Sequence, residues 1–261
     1  MSRAVVIGNG ESRKWFSDKQ YEVDAVTWGC NAIYRDMVTD NLVAVDYGMQ
    51  QEIHERCDYR DINCHFANWS VLPASVADMM FLGYDIPEAF IHKSSPVTDQ
   101  CVISGKDPMT LHERIEAAIQ MNPELDMKDL RMKMEKDVGV WITYVDENDH
   151  INNIDFPIGW SAGNTALHLA CQQGTKEIYI LGFDLSSYDE PLNNIYKGTD
   201  NYLPSDAKGF NSTNWMNQMQ TVFREFKDIT FSWVDAKEQF IQENNLSYLT
   251  KAEFCDKVVT L

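Results

Sequence analysis

The 261-residue sequence is poor in basic residues and has no long hydrophobic run, and each absence excludes a class of function or location. Its 22 lysines and arginines stand against 40 aspartates and glutamates, which gives a formal net charge of -18 at pH 7. Such an excess of negative charge repels polyanions, so we expect no binding to nucleic acid or to an anionic membrane. No apolar run reaches the ~18 residues that span a bilayer, and no signal-peptide pattern is present. We therefore expect a cytoplasmic protein without a transmembrane segment.

The six cysteines include no Cys-x-x-Cys pair, the spacing that many zinc sites use. We expect free thiols and no metal centre. With 44% hydrophobic content, the chain is long enough to bury one sizeable α/β core, so we predict a single domain over residues 1–261. The sequence does not determine the oligomeric state, and a homo-oligomer is one of the alternatives.

Two common nucleotide-binding fingerprints are also missing. A glycine turn, Gly8-Asn9-Gly10-Glu11-Ser12, follows an apolar strand predicted for residues 4–7, but Arg13 stands where a dinucleotide fingerprint has its third glycine. No Gly-Lys-Ser or Gly-Lys-Thr follows, which excludes the Walker phosphate loop. The turn can still approach a ligand, because Gly8 and Gly10 have no Cβ. Its backbone N–H groups, with Ser12 capping the next helix, predict an anion site, and a plain strand-to-helix connection is the alternative.

Polar side chains follow three of the predicted strands. Asn9 follows residues 4–7, Asn31 comes shortly after residues 25–28, and Asp46 follows residues 42–45. The carboxyl ends of parallel strands meet at one edge of a sheet, so these three side chains are expected to share a pocket. The alternative is that each is an ordinary turn residue, since asparagine and aspartate favour turns.

A second strand-helix unit lies later in the chain. Ser161 and Gly163 open an apolar helix that ends near Gly174, and a buried strand over residues 177–181 leads to Asp184. Ser161 and the N–H groups at this helix start would add further donors to the ligand edge. Residues 186–212 are polar and turn-rich, which predicts a lid loop.

The central part of the sequence differs from a plain alternation of strands and helices. Residues 96–139 are charged and rich in methionine at helical spacing, which predicts a helical insertion. Residues 140–145 and 151–156, joined by four turn-forming residues, predict a β-hairpin. We therefore predict an α/β, Rossmann-like doubly wound fold with a mostly parallel sheet, a helical insertion and a lid loop.

Several motifs together resemble one known family. Bacterial lipooligosaccharide sialyltransferases have similar motifs in the same order. The segments of this chain that resemble them are the glycine turn, Cys30-Asn31-Ala32-Ile33-Tyr34, and Ser161-Ala162-Gly163 followed by Lys176-Glu177-Ile178-Tyr179-Ile180-Leu181-Gly182-Phe183-Asp184. A wider set of Rossmann-like proteins, including the 6-hydroxymethylpterin diphosphokinase-like family, shares the glycine turn and the late helix-strand unit.

The resemblance implies a metal-independent transfer from a CMP-activated sugar to a glycan acceptor, with no permanently bound cofactor. Carried over by position, Asn9 and Asn31 would contact the nucleotide, and Asp46 stands where the family has an asparagine near the sugar and cytidine. Ser161 matches the family's threonine. Ala162 replaces the serine whose hydroxyl touches the donor.

The family's catalytic base is absent. A lid histidine serves as general base there, whereas this sequence has no histidine after His168. The acceptor proton would then pass to Asp184, Asp200 or Asp206, and Tyr188 or Tyr202 would assist the departing phosphate. Two alternatives stand beside this hypothesis. One is a pterin diphosphokinase-like enzyme in which Asp46 and Asp184 hold magnesium for ATP, and the other is a nucleotide-binding protein without catalysis.

Overall fold

The computed structural model describes residues 2–19, 21–56, 61–67, 70–72, 100–106, 138–145, 151–154, 161–185, 190–209 and 211–260. Its strands are β1 Arg3–Ile7, β2 Val26–Cys30, β3 Asn41–Ala44, β4 Asn63–Ala67, β5 Ser70–Leu72, β6 Gln100–Lys106, β7 Val138–Val145, β8 Ile151–Ile154, β9 Glu177–Leu181, β10 Thr230–Val234 and β11 Leu246–Leu249. Its α-helices are α1 Lys14–Lys19, α2 Tyr47–Arg56, α3 Ala162–Gln172, α4 Thr213–Glu225 and α5 Lys251–Val258, with 3-10 turns at Glu11–Arg13 and Asn31–Arg35.

Eight strands form one parallel sheet in the order β11-β10-β9-β1-β2-β3-β4-β8. The chain runs outward from β1 to one side through β2, β3 and β4, and later returns to the other side of β1 with β9. Ile7, at the end of β1, pairs with Gly29 of β2 and with Leu181 of β9, so the loops after these strands leave at one edge. The predicted α/β Rossmann-like fold is confirmed.

Alternate side chains of the strands enter two hydrophobic cores, one on each face of the sheet. In β1, Val5 and Ile7 belong to the core that contains Phe16 of α1 and Phe254 of α5. Ala4 and Val6 belong to the opposite core, which α3 and α4 cover. Strands with helices on both faces must be apolar along their whole length, which explains the continuous hydrophobic runs in the sequence.

The helices begin and end where the sequence supplies caps. The Ser161 side chain accepts a hydrogen bond from the backbone N–H of Asn164 at the start of α3, and Gly174 follows its end with a φ of 77°. Thr250 and Glu253 form a capping box on α5. No helix in these described ranges is long and apolar enough to cross a membrane.

The predicted hairpin is wrong. Val138–Val145 lies in the middle of a three-stranded antiparallel sheet with Ser70–Leu72 and Gln100–Lys106, whereas Ile151–Ile154 pairs in parallel with Asn63–Ala67 at the edge of the main sheet. Turn-forming residues between two apolar runs favour local pairing, but here each run pairs with distant segments. Most of the helical insertion predicted for residues 96–139 lies outside the described residues, but residues 100–106 and 138–139 within it form strands and not helices.

Candidate functional site

A cavity of about 390 Å³ opens at the carboxyl ends of the central strands. It lies where the chain order reverses between β1 and β9, which is the usual ligand position in open α/β sheets. The loops after β1, β2, β3 and β9 form its floor, the start of α3 and part of α4 form one wall, and the 190–209 loop forms the other. The polar and aromatic side chains around it are Asn9, Asn31, Asp46, Ser161, Asn164, Phe183, Asp184, Asn193, Asn194, Asn201, Tyr202 and Trp215.

The cavity brings together most of the residues that the sequence nominated. Asn9, Asn31 and Asp46 line it together, as the parallel arrangement of strands predicts. The further predicted residues that line it are Gly8, Gly10, Ser161, Gly163 and Asp184. Ser12 and Asp206 do not line it, Asp206 is exposed, and Tyr188 lies outside the described residues.

The sequence suggests the glycine turn as an anion site, but the N–H groups of Gly8, Gly10 and Ser12 in this turn are already bonded within the protein. The N–H of Gly8 donates to the carbonyl of Leu181, and that of Gly10 donates to the carbonyl of Gly182, each at 2.8 Å. The N–H of Ser12 donates to Asp184 Oδ2 at 2.7 Å. A bound phosphate would have to displace these acceptors, so the protein's own carboxylate occupies the place predicted for a ligand anion.

Asp184 and Ser12 therefore have roles that sequence spacing does not reveal. Gly10, not Ser12, precedes the 3-10 turn, and the Ser12 hydroxyl donates to Asp184 Oδ1 instead of capping a helix. A Cβ on Gly10 would lie 2.4 Å from Asp184 Cγ. The absence of a side chain at Gly10 thus makes room for the carboxylate as well as for the turn.

Arg13, the residue that departs from the dinucleotide fingerprint, holds the turn from behind. Its guanidinium is buried and donates to the carbonyl of Gly8 at 2.7 Å and to the Tyr196 hydroxyl at 2.8 Å. It also pairs with Asp36 at 3.2 Å. Sequence reasoning missed this role, because both Tyr196 and Asp36 are far from Arg13 in the chain.

Helix α3 supplies the unoccupied donors of the cavity. Ser161 caps the N–H of Asn164, but the N–H groups of Ala162 and Gly163 have no partner among the described residues. Both residues line the cavity. The start of a helix carries a partial positive charge, so two unpaired N–H groups there form a place for one anionic group.

Two asparagine side chains on the cavity have acceptor atoms that the described protein leaves unused. Asn31 Oδ1 and Asn164 Oδ1 are buried without a hydrogen-bond partner. Asn31 also has a φ of 52°, the left-handed region that asparagine tolerates better than most residues. Buried acceptors are usually paired, so these atoms indicate a ligand that donates hydrogen bonds.

Asp46 differs from Asp184, because its carboxylate has no partner in the described part of the chain. The Asp46 side chain is exposed to the cavity. The surrounding protein nevertheless removes part of the water around its carboxyl, and this desolvation raises the pKa of the carboxyl. Cys30 lies in the same lining, but burial raises the pKa of its thiol to about 12, which leaves it protonated and unreactive.

The described part of the predicted lid is fastened to the rest of the site. The Tyr202 hydroxyl accepts hydrogen bonds from Asn9 Nδ2 at 3.2 Å and from the N–H of Ala32 at 3.4 Å. Its own hydrogen has no acceptor among the described residues, and burial raises the pKa of the phenol, so the hydroxyl keeps a proton to donate. Next to it, Asn201 donates to Glu52 at 2.7 Å.

The charge of the cavity limits what it can bind. Its described lining includes no lysine, arginine or histidine. In the described ranges, no group of three or more histidine, cysteine, aspartate or glutamate side chains is arranged to hold a metal ion. Among the described residues of the lining, a ligand with several phosphates would therefore meet only the two N–H groups of α3 as counter-charge.

Comparisons with known proteins add no family to this description. The chain matches no protein-family model, no curated protein and no solved structure.

Proposed function

We propose that this protein is a glycosyltransferase that takes its sugar from a donor with a single phosphate, a CMP-activated sugar. The observation that carries the proposal is the composition of the cavity. Among the described residues, it combines buried amide oxygens and two N–H groups at the start of α3 that have no hydrogen-bond partner with a lining that has no cationic side chain. A nucleoside joined to a sugar through one phosphate matches this set, because it has many hydroxyl and amino donors and only one phosphate charge.

The order of groups across the sheet gives the donor an orientation. The nucleoside lies over the ends of β2 and β3, where Asn31 and Asp46 accept hydrogen bonds from its hydroxyl and amino groups. The phosphate lies at the N–H groups of Ala162 and Gly163 in the middle of the cavity. The sugar then extends over the end of β9 towards Phe183 and Asp184.

The transfer step follows from this orientation. The acceptor hydroxyl oxygen bonds to the anomeric carbon, while the bond from that carbon to the phosphate oxygen breaks and its electron pair leaves with CMP. The acceptor proton passes to Asp184, whose carboxylate keeps lone pairs beyond the two that Ser12 uses. The free hydrogen of Tyr202 donates to the departing phosphate and stabilises its charge.

The magnesium and ATP alternative receives less support from the same residues. In the described residues, Asp46 and Asp184 belong to no group of three or more histidine, cysteine, aspartate or glutamate side chains arranged to hold a metal ion. The described lining also lacks the lysine or arginine side chains that usually neutralise a triphosphate.

Turnover of a donor tests the proposal. We expect the protein, without added metal, to release CMP from CMP-N-acetylneuraminate in the presence of a glycan. Chromatography measures the CMP that is released. Tyr202→Phe removes the donated hydrogen and is expected to lower kcat by ~10² with little change in KM. Asp184→Asn is expected to lower kcat by ~10² to 10⁴. Tight CMP binding without turnover of any sugar donor would instead identify a non-catalytic nucleotide-binding protein.

A further inference from the structure

A second cavity of about 230 Å³ adjoins the first at the end of β9. Phe183, Asp184, Leu185 and Asn193 line both cavities, so the two spaces are separated by little more than one layer of side chains. The outer wall of the second cavity comes from β10 and the residues after it. This volume is smaller than that of the first cavity, as a site for a single sugar ring rather than a whole nucleotide would be.

The second cavity has an aromatic surface with one conspicuously exposed ring. Trp233 is buried and stacks on Tyr248, with ring centroids 5.8 Å apart. Phe240 lines the same cavity and is 51% exposed. Large exposed apolar side chains are few in the described residues, and Phe240 is one that borders a cavity. An exposed ring at a cavity mouth offers a flat apolar face to a ligand.

The polar side chains of this cavity favour a ligand without negative charge. Glu190 and Glu238 line it together with Asp184, against the single ammonium of Lys237. Lys237 already pairs with Glu190 at 3.6 Å, and Glu238 has no ion-pair partner in the described part of the chain. An acidic ligand would be repelled here, whereas carboxylates accept hydrogen bonds well from neutral hydroxyls.

We infer that the second cavity is the acceptor subsite and that it holds a terminal neutral pyranose. This inference rests on the proposed function, since it assigns the partner of the same transfer. The apolar C–H face of a pyranose packs on Phe240, while its hydroxyls donate to Glu238 and the neighbouring carboxylates. Asp184, on the border of the two cavities, then faces the hydroxyl that attacks the anomeric carbon and receives its proton. Two substrates in adjoining cavities meet the positional requirement of a transfer reaction.

Ligand-observed NMR with simple sugars tests the assignment. The neutral probes are methyl β-galactopyranoside and methyl β-glucopyranoside, and the anionic probe is the methyl glycoside of glucuronic acid, each with and without saturating CMP. We expect the neutral probes to bind in both conditions and the anionic probe to bind more weakly. Phe240→Ala should weaken neutral binding about fivefold to tenfold and leave CMP binding unchanged. Val38→Ala is the matched control, because Val38 is also exposed but lines neither cavity.

Different failures identify different errors. If CMP binds but Phe240→Ala has no effect on the sugars, the acceptor subsite is wrong and the donor proposal stands. If CMP displaces the sugars, the two ligands share one cavity and the subsite is again wrong. If the sugars bind at Phe240 and no nucleotide binds, the proposed donor is wrong, and with it the acceptor role of the second cavity.

Discussion

The two carboxylates that face the main cavity have opposite surroundings. Asp184 accepts two hydrogen bonds from Ser12, whereas Asp46 has no partner among the described residues, and burial raises the pKa of its carboxyl. A carboxyl whose pKa is higher in the folded than in the unfolded state stabilises the fold only when protonated. At pH 7 the ionised Asp46 therefore costs folding free energy, as ligand-binding groups commonly do.

Neutral substitutions at these positions should change stability in opposite directions. Asp46→Asn removes a partly desolvated charge and is expected to raise the free energy of unfolding at pH 7 by about 0.5 kcal/mol, a modest value because the side chain is open to solvent. Asp184→Asn weakens the bonds to Ser12 and is expected to lower it by about 1 to 3 kcal/mol. Urea denaturation measures both, and a loss of stability in Asp46→Asn would show that its carboxylate has a structural partner.

Among the groups that hold the 190–209 loop is one buried carboxylate, which lies on α2. Glu52 of α2 receives the Arg35 guanidinium at 2.6 Å and the Asn201 amide at 2.7 Å. Asn201 and its neighbour Tyr202 line the cavity, so this carboxylate fixes the wall that carries the proposed phosphate donor. An exposed ion pair at 3.2 Å, between Arg56 of α2 and Asp200 of the loop, also joins these two elements.

These two contacts predict very different costs. Glu52→Gln leaves Arg35 without its charge partner and is expected to lower the free energy of unfolding by about 2 kcal/mol or more, because Glu52 is buried. It should also speed proteolysis within residues 190–209. Arg56→Gln is the control at the same loop and should cost less than about 1 kcal/mol, because both partners are exposed. Equal cleavage rates in the two variants would show that Glu52 does not hold the loop.

The elements that the sequence predicted well are those with strong local patterns. Continuous apolar runs predicted the central strands, and Ser161 and Gly174 predicted the limits of α3. The shared position of Asn9, Asn31 and Asp46 followed from strand order alone. The hairpin failed because the partner of Ile151–Ile154 lies far away in the chain. The bonds from Ser12 to Asp184 and from Arg13 to Tyr196 were hidden for the same reason, since 172 and 183 residues separate them.

At the scale of the whole molecule, a buried histidine makes stability depend on pH. His65 packs beside Trp28, with its Nε2 3.2 Å from Asn41 Oδ1, and burial lowers the pKa of the ring to about 4. The unfolded chain has a histidine pKa of about 6.5. Between these values the unfolded state binds the proton more readily, so the contribution is complete above pH 6.5 and is lost as the pH falls towards 4.

The expected loss is about 2 to 3 kcal/mol between pH 6.5 and pH 4, beyond the change that the carboxylates cause. Urea denaturation at a series of pH values measures it. His65→Gln should flatten the curve in this window, even if the substitution lowers stability at every pH. An unchanged slope in that variant would mean that His65 titrates normally in the folded protein.

The central claim is that the main cavity binds a nucleotide with one phosphate and no metal. The most direct measurement is thermal unfolding with CMP, CDP, UDP, GDP and ATP, each with and without magnesium. We expect CMP to stabilise the protein by about 2.7 kcal/mol at a hundred times its Kd, with or without magnesium. Stabilisation by ATP only when magnesium is present, or by no nucleotide at all, would contradict it.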